Sequence, residues 1–377
     1  MLTTQVVDTT NKTQVDQFIQ LQFRLYGNCP QWVPPIIDDV RTMLNRQKHP
    51  FYEHSDGEFF LAKRDDRVVG RLGVVENKPF NKAQGKKHAF FTLFECENDP
   101  EAAAALFERA FEWAKRRGLD TIVGPKGLGP FDGYGILTMG YEHRQMMTMM
   151  GYNYPYYVDL VEKLGFTKEV DFLSCYLPGD KLYLSEKVHE VARRVREKGI
   201  FKVISMRSKK DLKSWANRIG QLYNSVFVNN WEYYPLSERE IKQVLKDLLL
   251  IADPPLIKLI TYKDNLIGFL FGFPDLSEAL QRAKGKITPW SIVDLMLEIR
   301  RSKIITFNGT GILPEYQGRG GNALLYDEME KTVHNSGRKF EAVDMPQVAE
   351  TTQQMRRDLK NLGGIEYKNH RVYHRPI

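Results

Sequence analysis

Gly311-Ile-Leu-Pro-Glu-Tyr-Gln-Gly-Arg-Gly-Gly-Asn-Ala-Leu-Leu-Tyr326 reads as an apolar strand that breaks into a glycine-rich turn and re-forms as a helix. Gly318, Gly320 and Gly321 let main-chain amides approach an anion with no Cβ in the way. A helix beginning near Asn322 would aim its free N–H groups and positive dipole end at the same point. Arg319 adds a charged donor, and Leu324, Leu325, Met329 and Val333 give the helix one apolar face to set against a sheet. The stretch is thus a phosphate cradle. No Gly-Lys-Ser/Thr follows it, and the complete Gly-x-Gly-x-x-Gly fingerprint is missing, so neither common nucleotide loop fits.

Outward from the cradle, one order of elements occurs twice. In the first half a strand at 4–7 leads to helices at 13–26 and 35–46. A hairpin (58–62 and 68–75, turning at Arg64-Asp65-Asp66) comes next, followed by a strand at 89–95. A helix from Pro100 then buries Ala103, Leu106, Phe107, Ala110, Phe111 and Ala114. A strand at 120–124, a helix at 155–164 and a strand at 171–177 complete the set. The second half repeats it: strand 201–206, helices 212–226 and 238–249, hairpin 257–262 and 266–273, an extra helical segment between 276 and 300, strand 304–313, the cradle and its helix, strand 340–345, helix 352–362 and a closing strand 366–374.

With 377 residues the chain exceeds the size at which one core keeps growing. Hydrophobic residues make up 42% and charged residues 27%, the balance of a folded protein, with no apolar run of the roughly 18 residues that a bilayer span needs. Nothing at the start reads as a signal peptide, and three widely spaced cysteines suggest neither a disulfide framework nor a metal cluster, so a reducing cytoplasm is expected. His370 and His374 fall in a strand, where their spacing separates the rings by roughly 13 Å, and no metal is expected. The net charge of +7 favours phosphate-bearing ligands but is spread over solvated helix surfaces.

The cradle resembles motif A of the GNAT acyltransferases, Gln/Arg-x-x-Gly-x-Gly/Ala after a strand ending in an apolar residue and proline. Gln317, Gly320 and Ile312-Leu313-Pro314 match it, and Asn322 stands where Gly or Ala is usual. The doubled element order is the GNAT plan, and each half ends its last helix in leucine-glycine, at Leu164-Gly165 and Leu362-Gly363. The resemblance implies an α+β (α/β/α) fold of two tandem domains, each a mixed, mostly antiparallel sheet flanked by helices. The expected division is a degenerate domain at 1–180 lacking the phosphate loop, a bridging helix at 181–198, and a domain with motif A at 199–377.

It further implies acetyl-CoA or another acyl-CoA as co-substrate, held by Ile312, Leu313, Gln317, Gly318, Arg319, Gly320, Gly321 and Asn322, with an amide near Ile312 for the oxyanion. The motif strand carries Thr306, Asn308 and Thr310 but no carboxylate, so Glu350, Asp344 and Glu232 are the candidate bases. Leu359 occupies the place of the family's frequent acidic tyrosine. Trp231, Tyr233 and Tyr234 are candidates for a substrate wall. In the first half, Glu95-Cys-Glu-Asn-Asp99 stands where a phosphate loop would be, without glycine and with carboxylates that would repel a pyrophosphate. Met146, Met147, Met149 and Met150 beside four tyrosines suit either an irregular core or a pocket.

The expected activity is N-acyl transfer to a small amine or amino-acid-like acceptor, by a monomer or homodimer with no membrane partner and with nucleic acid disfavoured. The alternatives are a Fem-like transferase drawing on aminoacyl-tRNA, and a coenzyme A binder without turnover.

Overall fold

The computed structural model describes residues 1–129, 132–179, 182–228, 231 and 233–377, with only the backbone of Gln354. The chain divides into two compact units. Unit 1 comprises 1–173, 277–293 and 367–377, and unit 2 comprises 174–276 and 294–366.

In unit 1 the strands β1 (Leu2–Val6), β2 (Asp56–Arg64), β3 (Arg67–Glu76), β4 (His88–Cys96), β5 (Thr121–Gly124), β13 (Ile365–Pro376, from 367 on) and β7 (Thr167–Pro178, up to 173) lie side by side in that order, with β6 (Ile136–Met139) paired to β13. All pairs with a defined register are antiparallel except β4–β5. Helices α1 (Lys12–Tyr26), α2 (Ile37–Leu44), α3 (Lys78–Gln84), α4 (Pro100–Arg116) and α5 (Tyr156–Glu162) belong to it. The α4 side chains expected inside are buried, except Phe111, which is half-buried, and Trp113 joins them.

The strand expected to close the second sheet is instead β13 of unit 1. Tyr373 lies opposite Gly124 and Pro376 opposite Thr121. Burial on both faces explains the fit, because the consecutive residues Val372 and Tyr373 are fully buried while Arg371 forms a two-pronged ion pair with Asp171 at 2.8 and 3.1 Å. Two short elements, α3 and β6, had no legible periodicity.

In unit 2 the order is β12 (Ala342–Ala349), β11 (Ile304–Ile312), β10 (Asn265–Pro274), β9 (Ile257–Tyr262) and β8 (Phe201–Ser205), parallel between β11 and β12 and antiparallel elsewhere. Its helices are α6 (Glu186–Lys198), α7 (Lys209–Val226), α8 (Glu238–Ile251), α11 (Gly321–Asn335) and α12 (Gln353–Asn361). Ser208 and Ser237 each close a capping box, which fixes where α7 and α8 begin. Between β10 and β11 the chain forms α9 (Ser277–Ala283) and α10 (Pro289–Arg301). No helix among the described residues is long and apolar enough to cross a membrane.

Candidate functional site

The site grows from an interruption in β11. Its register against β10 shifts between Leu270 and Gly272, where Gly309 takes φ +114. Beyond this bulge β11 stays paired with β10 but not with β12, since its parallel pairing with β12 is confined to 304–306 against 342–344. The two strands splay. The hydrogen bond from Leu313 N–H to the Ile267 carbonyl (2.8 Å) sets the phase of the ladder and turns the N–H and C=O of Ile312 away from β10, toward the splay. The carbonyl is taken by Gln317 Nε2 at 2.8 Å. The N–H is left facing the opening.

From there Pro314–Tyr316 makes one tight turn, and Gly318 (φ +71) and Gly320 (φ +81) carry the chain into α11. Among the described residues no acceptor is bonded to the amides of Gly318 through Ala323. The α11 residues expected to face the sheet, Leu324, Leu325, Met329 and Val333, are buried. A Cβ on Gly318 would meet nothing within 4 Å, whereas one on Gly320 would lie 2.7 and 3.0 Å from methyls of Val195 and Val191 on α6. Gly318 therefore borders the open side of the cradle and Gly320 its packed floor. Arg319 stands exposed, 5.6 Å above the Tyr316 ring, with no acidic partner among the described residues.

The other expected residues scatter. Asp344 is buried opposite Thr306, on the last paired rung, six residues and therefore about 20 Å short of the Ile312 level. Glu350 follows β12 in a turn and is half-buried. Glu232 lies outside the described residues. Tyr233 donates to the Asn224 carbonyl at 2.6 Å, and Tyr234 is buried with its hydroxyl 3.5 Å from Glu240, so both tie the loop to the ends of α7 and α8. Trp231 is half-buried in the same loop. The end of α7 reaches β11 itself, for a Cβ on Gly311 would lie 2.1 Å from a Val226 methyl.

Tyr326, which closes the cradle stretch, carries no candidate role in the sequence. It is half-buried on α11 near Thr310, just past the bulge, with a pKa pushed up to about 12 by burial and then by the Asp358 carboxylate, while Thr310 pulls the other way. Nothing in its spacing distinguished it. A second feature without a sequence signal is the 2.8 Å bond from Asn308 to Gln347 across the splay.

Unit 1 repeats this geometry with the opening closed. Its motif strand β4 has the same shift, with Leu93 at φ +50. Cys96 faces Gly70 as Ile312 faces Gly268, and Glu97 N–H bonds the Val69 carbonyl at 2.9 Å as Leu313 bonds Ile267. Cys96 thus corresponds to Ile312. Here the Tyr157 hydroxyl accepts the Cys96 N–H at 3.1 Å, and the Tyr156 hydroxyl donates to the Cys96 carbonyl at 2.8 Å. Glu95 and Cys96 prove to be strand, not loop. Glu95 is buried, bonded by Tyr157 (2.7 Å) and Tyr26 (2.8 Å) with Arg71 at 3.8 Å, and burial raises its pKa. At the helix start Asp99 accepts Ala102 N–H and holds Arg64, while Glu97 holds Arg24 and Arg67. The anionic loop is neutralised from within, and its helix cap is already filled. Met146, Met147 and Met150 are buried, which favours core over pocket for them.

Among the described residues, His189, Asp327 and Glu330 bring three possible metal ligands within 4.8 Å of one another. Arg196 and Lys331 also pair with Asp327, so the group is an ion-pair network joining α6 to α11.

No known family's model matches the chain. Two curated relatives span almost all of it. Protein YghO of Escherichia coli K12 is 26% identical over 372 residues, 97% of this chain and 94% of that protein. A protein named bacterial ceramide synthase, from Caulobacter vibrioides, is 24% identical over 380 residues, 99% and 97%. Among solved structures, a tandem GNAT protein from the clavulanic acid biosynthesis pathway superposes with a TM-score of 0.56 at 12% identity, covering 100% of this chain and 98% of that one. A GCN5-related N-acetyltransferase from Anabaena variabilis gives 0.50 at 11%, covering 100% and 72%. This chain has the tandem GNAT fold.

Proposed function

We propose that the chain transfers an acyl group from acyl-CoA to a primary amine, with the thioester held in unit 2. The observation that carries this is the contrast between Ile312 and Cys96. The same backbone position presents an unoccupied donor to an open splay in one unit and is sealed by two phenols in the other. Six further amides, Gly318 to Ala323, suit a pyrophosphate at the helix start. With the diphosphate there, the pantetheine arm would follow β11 and bring the thioester carbonyl toward Ile312 N–H, which stabilises the oxyanion as the amine attacks.

Attack forms the C–N bond and a tetrahedral intermediate. Its collapse breaks the C–S bond, and the thiolate takes a proton. Tyr326, kept protonated at neutral pH and beside Thr310, is our candidate donor, and Glu350, just past the splayed end of β12, is our candidate base. The relative named for ceramide, an N-acylated long-chain amino alcohol, makes amines of that kind the first acceptors to offer, beside small amines and amino acids.

The test follows free thiol from acetyl-CoA and a long-chain acyl-CoA while these amines are supplied. Thiol release that depends on an amine supports the reading. Coenzyme A binding without release for any amine would make the protein a binder. Stabilisation by aminoacyl-tRNA in place of acyl-CoA would favour the Fem-like alternative.

A further inference from the structure

Helix α10 is built inside out. Trp290, Ile292, Val293, Met296 and Leu297 are 83, 43, 49, 63 and 38% exposed, and all fall within an arc of roughly 160° around the helix. Asp294 and Glu298 occupy the other side, and Glu298 is buried. A surface helix ordinarily does the reverse. The polarity of its own residues therefore turns the apolar face toward something outside the chain. Basic residues frame that face: Lys284 and Lys286 precede the helix and Arg300 and Arg301 end it, all four exposed, and no acidic residue lies on the exposed arc.

We infer that α10 lies in the surface of an anionic lipid bilayer, its apolar face among the acyl chains and its flanking lysines and arginines against the headgroups. Size and charge both favour this occupant over a second copy of the chain. A face of 13 residues is about 20 Å long and 10 Å wide. It covers a few hundred Å² at most, short of the roughly 800 Å² per partner of a stable protein interface. Pairing with its own copy would bring like basic ends together, whereas anionic headgroups complement them. Trp290 at one end and Arg300 at the other fit the depth at which indole and guanidinium groups sit in an interface. The expectation of no membrane partner came from the lack of a spanning segment, and a helix lying in the surface needs none.

The test uses the full chain without acyl-CoA, so its outcome is separate from that of the transferase assay. Flotation is measured with phosphatidylcholine vesicles with and without about one third phosphatidylglycerol. The expected result is binding to the anionic vesicles that weakens with salt and drops at least about tenfold in Trp290→Ser/Met296→Ser, whose circular dichroism is unchanged. In Trp290→Phe, quenching of tryptophan emission by brominated lipid should be lost while flotation persists, which separates contact at α10 from general stickiness. Flotation undiminished in the double variant would overturn the inference. So would no flotation at all, or a dimer in sedimentation equilibrium that Trp290→Ser dissociates.

Discussion

Replacing Gly318 and Gly320 by alanine, one at a time, separates the open edge of the cradle from its floor. Both glycines have positive φ, +71 and +81, so either alanine is strained by about 1–2 kcal/mol. At Gly318 nothing else is added, because its Cβ would meet open space. At Gly320 the methyl lands 2.7 Å from Val195 and 3.0 Å from Val191, and both are branched side chains on a packed helix. Overpacking of that kind adds about 1–3 kcal/mol. Gly320→Ala should therefore lose about 2–5 kcal/mol of stability, about 1–3 kcal/mol more than Gly318→Ala. Affinity should behave differently. The Gly318 methyl would stand where the diphosphate approaches the amides, so its Kd for acetyl-CoA should rise at least tenfold, or about 1.4 kcal/mol. At a ligand concentration about one hundred times the wild-type Kd, stabilisation by acetyl-CoA should fall from about 2.7 to about 1.4 kcal/mol. Urea titrations with and without acetyl-CoA, together with calorimetric binding at 25 °C, read both quantities. A Gly318→Ala protein that binds as tightly as the parent would refute the cradle, and a Gly320→Ala protein no less stable than Gly318→Ala would refute the packing against α6.

In unit 1, Tyr157→Phe strips a donor from buried Glu95 and an acceptor from Cys96 N–H, so urea titration should show a loss of about 1–3 kcal/mol with acetyl-CoA affinity unchanged. A tenfold change in that affinity would mean that the sealed splay takes part in cofactor binding. Tyr326→Phe should lower kcat more than it changes acetyl-CoA affinity, and equal kcat values would remove the phenol from proton transfer. Two histidines should titrate with opposite signs. The hydrogen bond to Asp327 and the charge of Glu330 raise the pKa of His189, so its stabilisation is present below its unfolded value near 6.5 and is lost as pH rises through the folded value. Burial pushes His370 down to about 3, so the unfolded chain binds its proton first and stability falls as pH drops from about 6.5 toward 3. Stability–pH curves of His189→Gln and His370→Gln should flatten in those separate windows, and curves parallel to that of the parent would contradict the assigned surroundings.

The doubled GNAT plan was readable because long amphipathic helices such as 100–116 and 321–335 announce themselves by periodicity, and because glycines at 318, 320 and 321 mark a turn that few other residues allow. The partner of the last strand was not readable. Its β-branched and aromatic residues mark a strand but not which neighbour receives it, and Arg371 meets Asp171 two hundred positions away. Likewise Glu95-Cys96 read as an anionic loop because composition cannot show two tyrosines, from 26 and 157, converging on one carboxylate. The position of Asp344 on the last paired rung of β11 and β12 was likewise not legible, since it exists only once strand register is fixed.

The placement of β13 bears on how the polypeptide matures during translation. Residues 1–173 of unit 1 are made before any of unit 2, yet unit 1 lacks an internal strand until positions 367–377 have left the ribosome, whereas everything unit 2 contains has been synthesised by residue 366. The later-encoded half can therefore finish first, while the earlier half waits with Gly124, Val123 and Ile122 unpaired on that side. A stop codon directly after residue 366 would spare the proposed catalytic half and leave the earlier half unable to close.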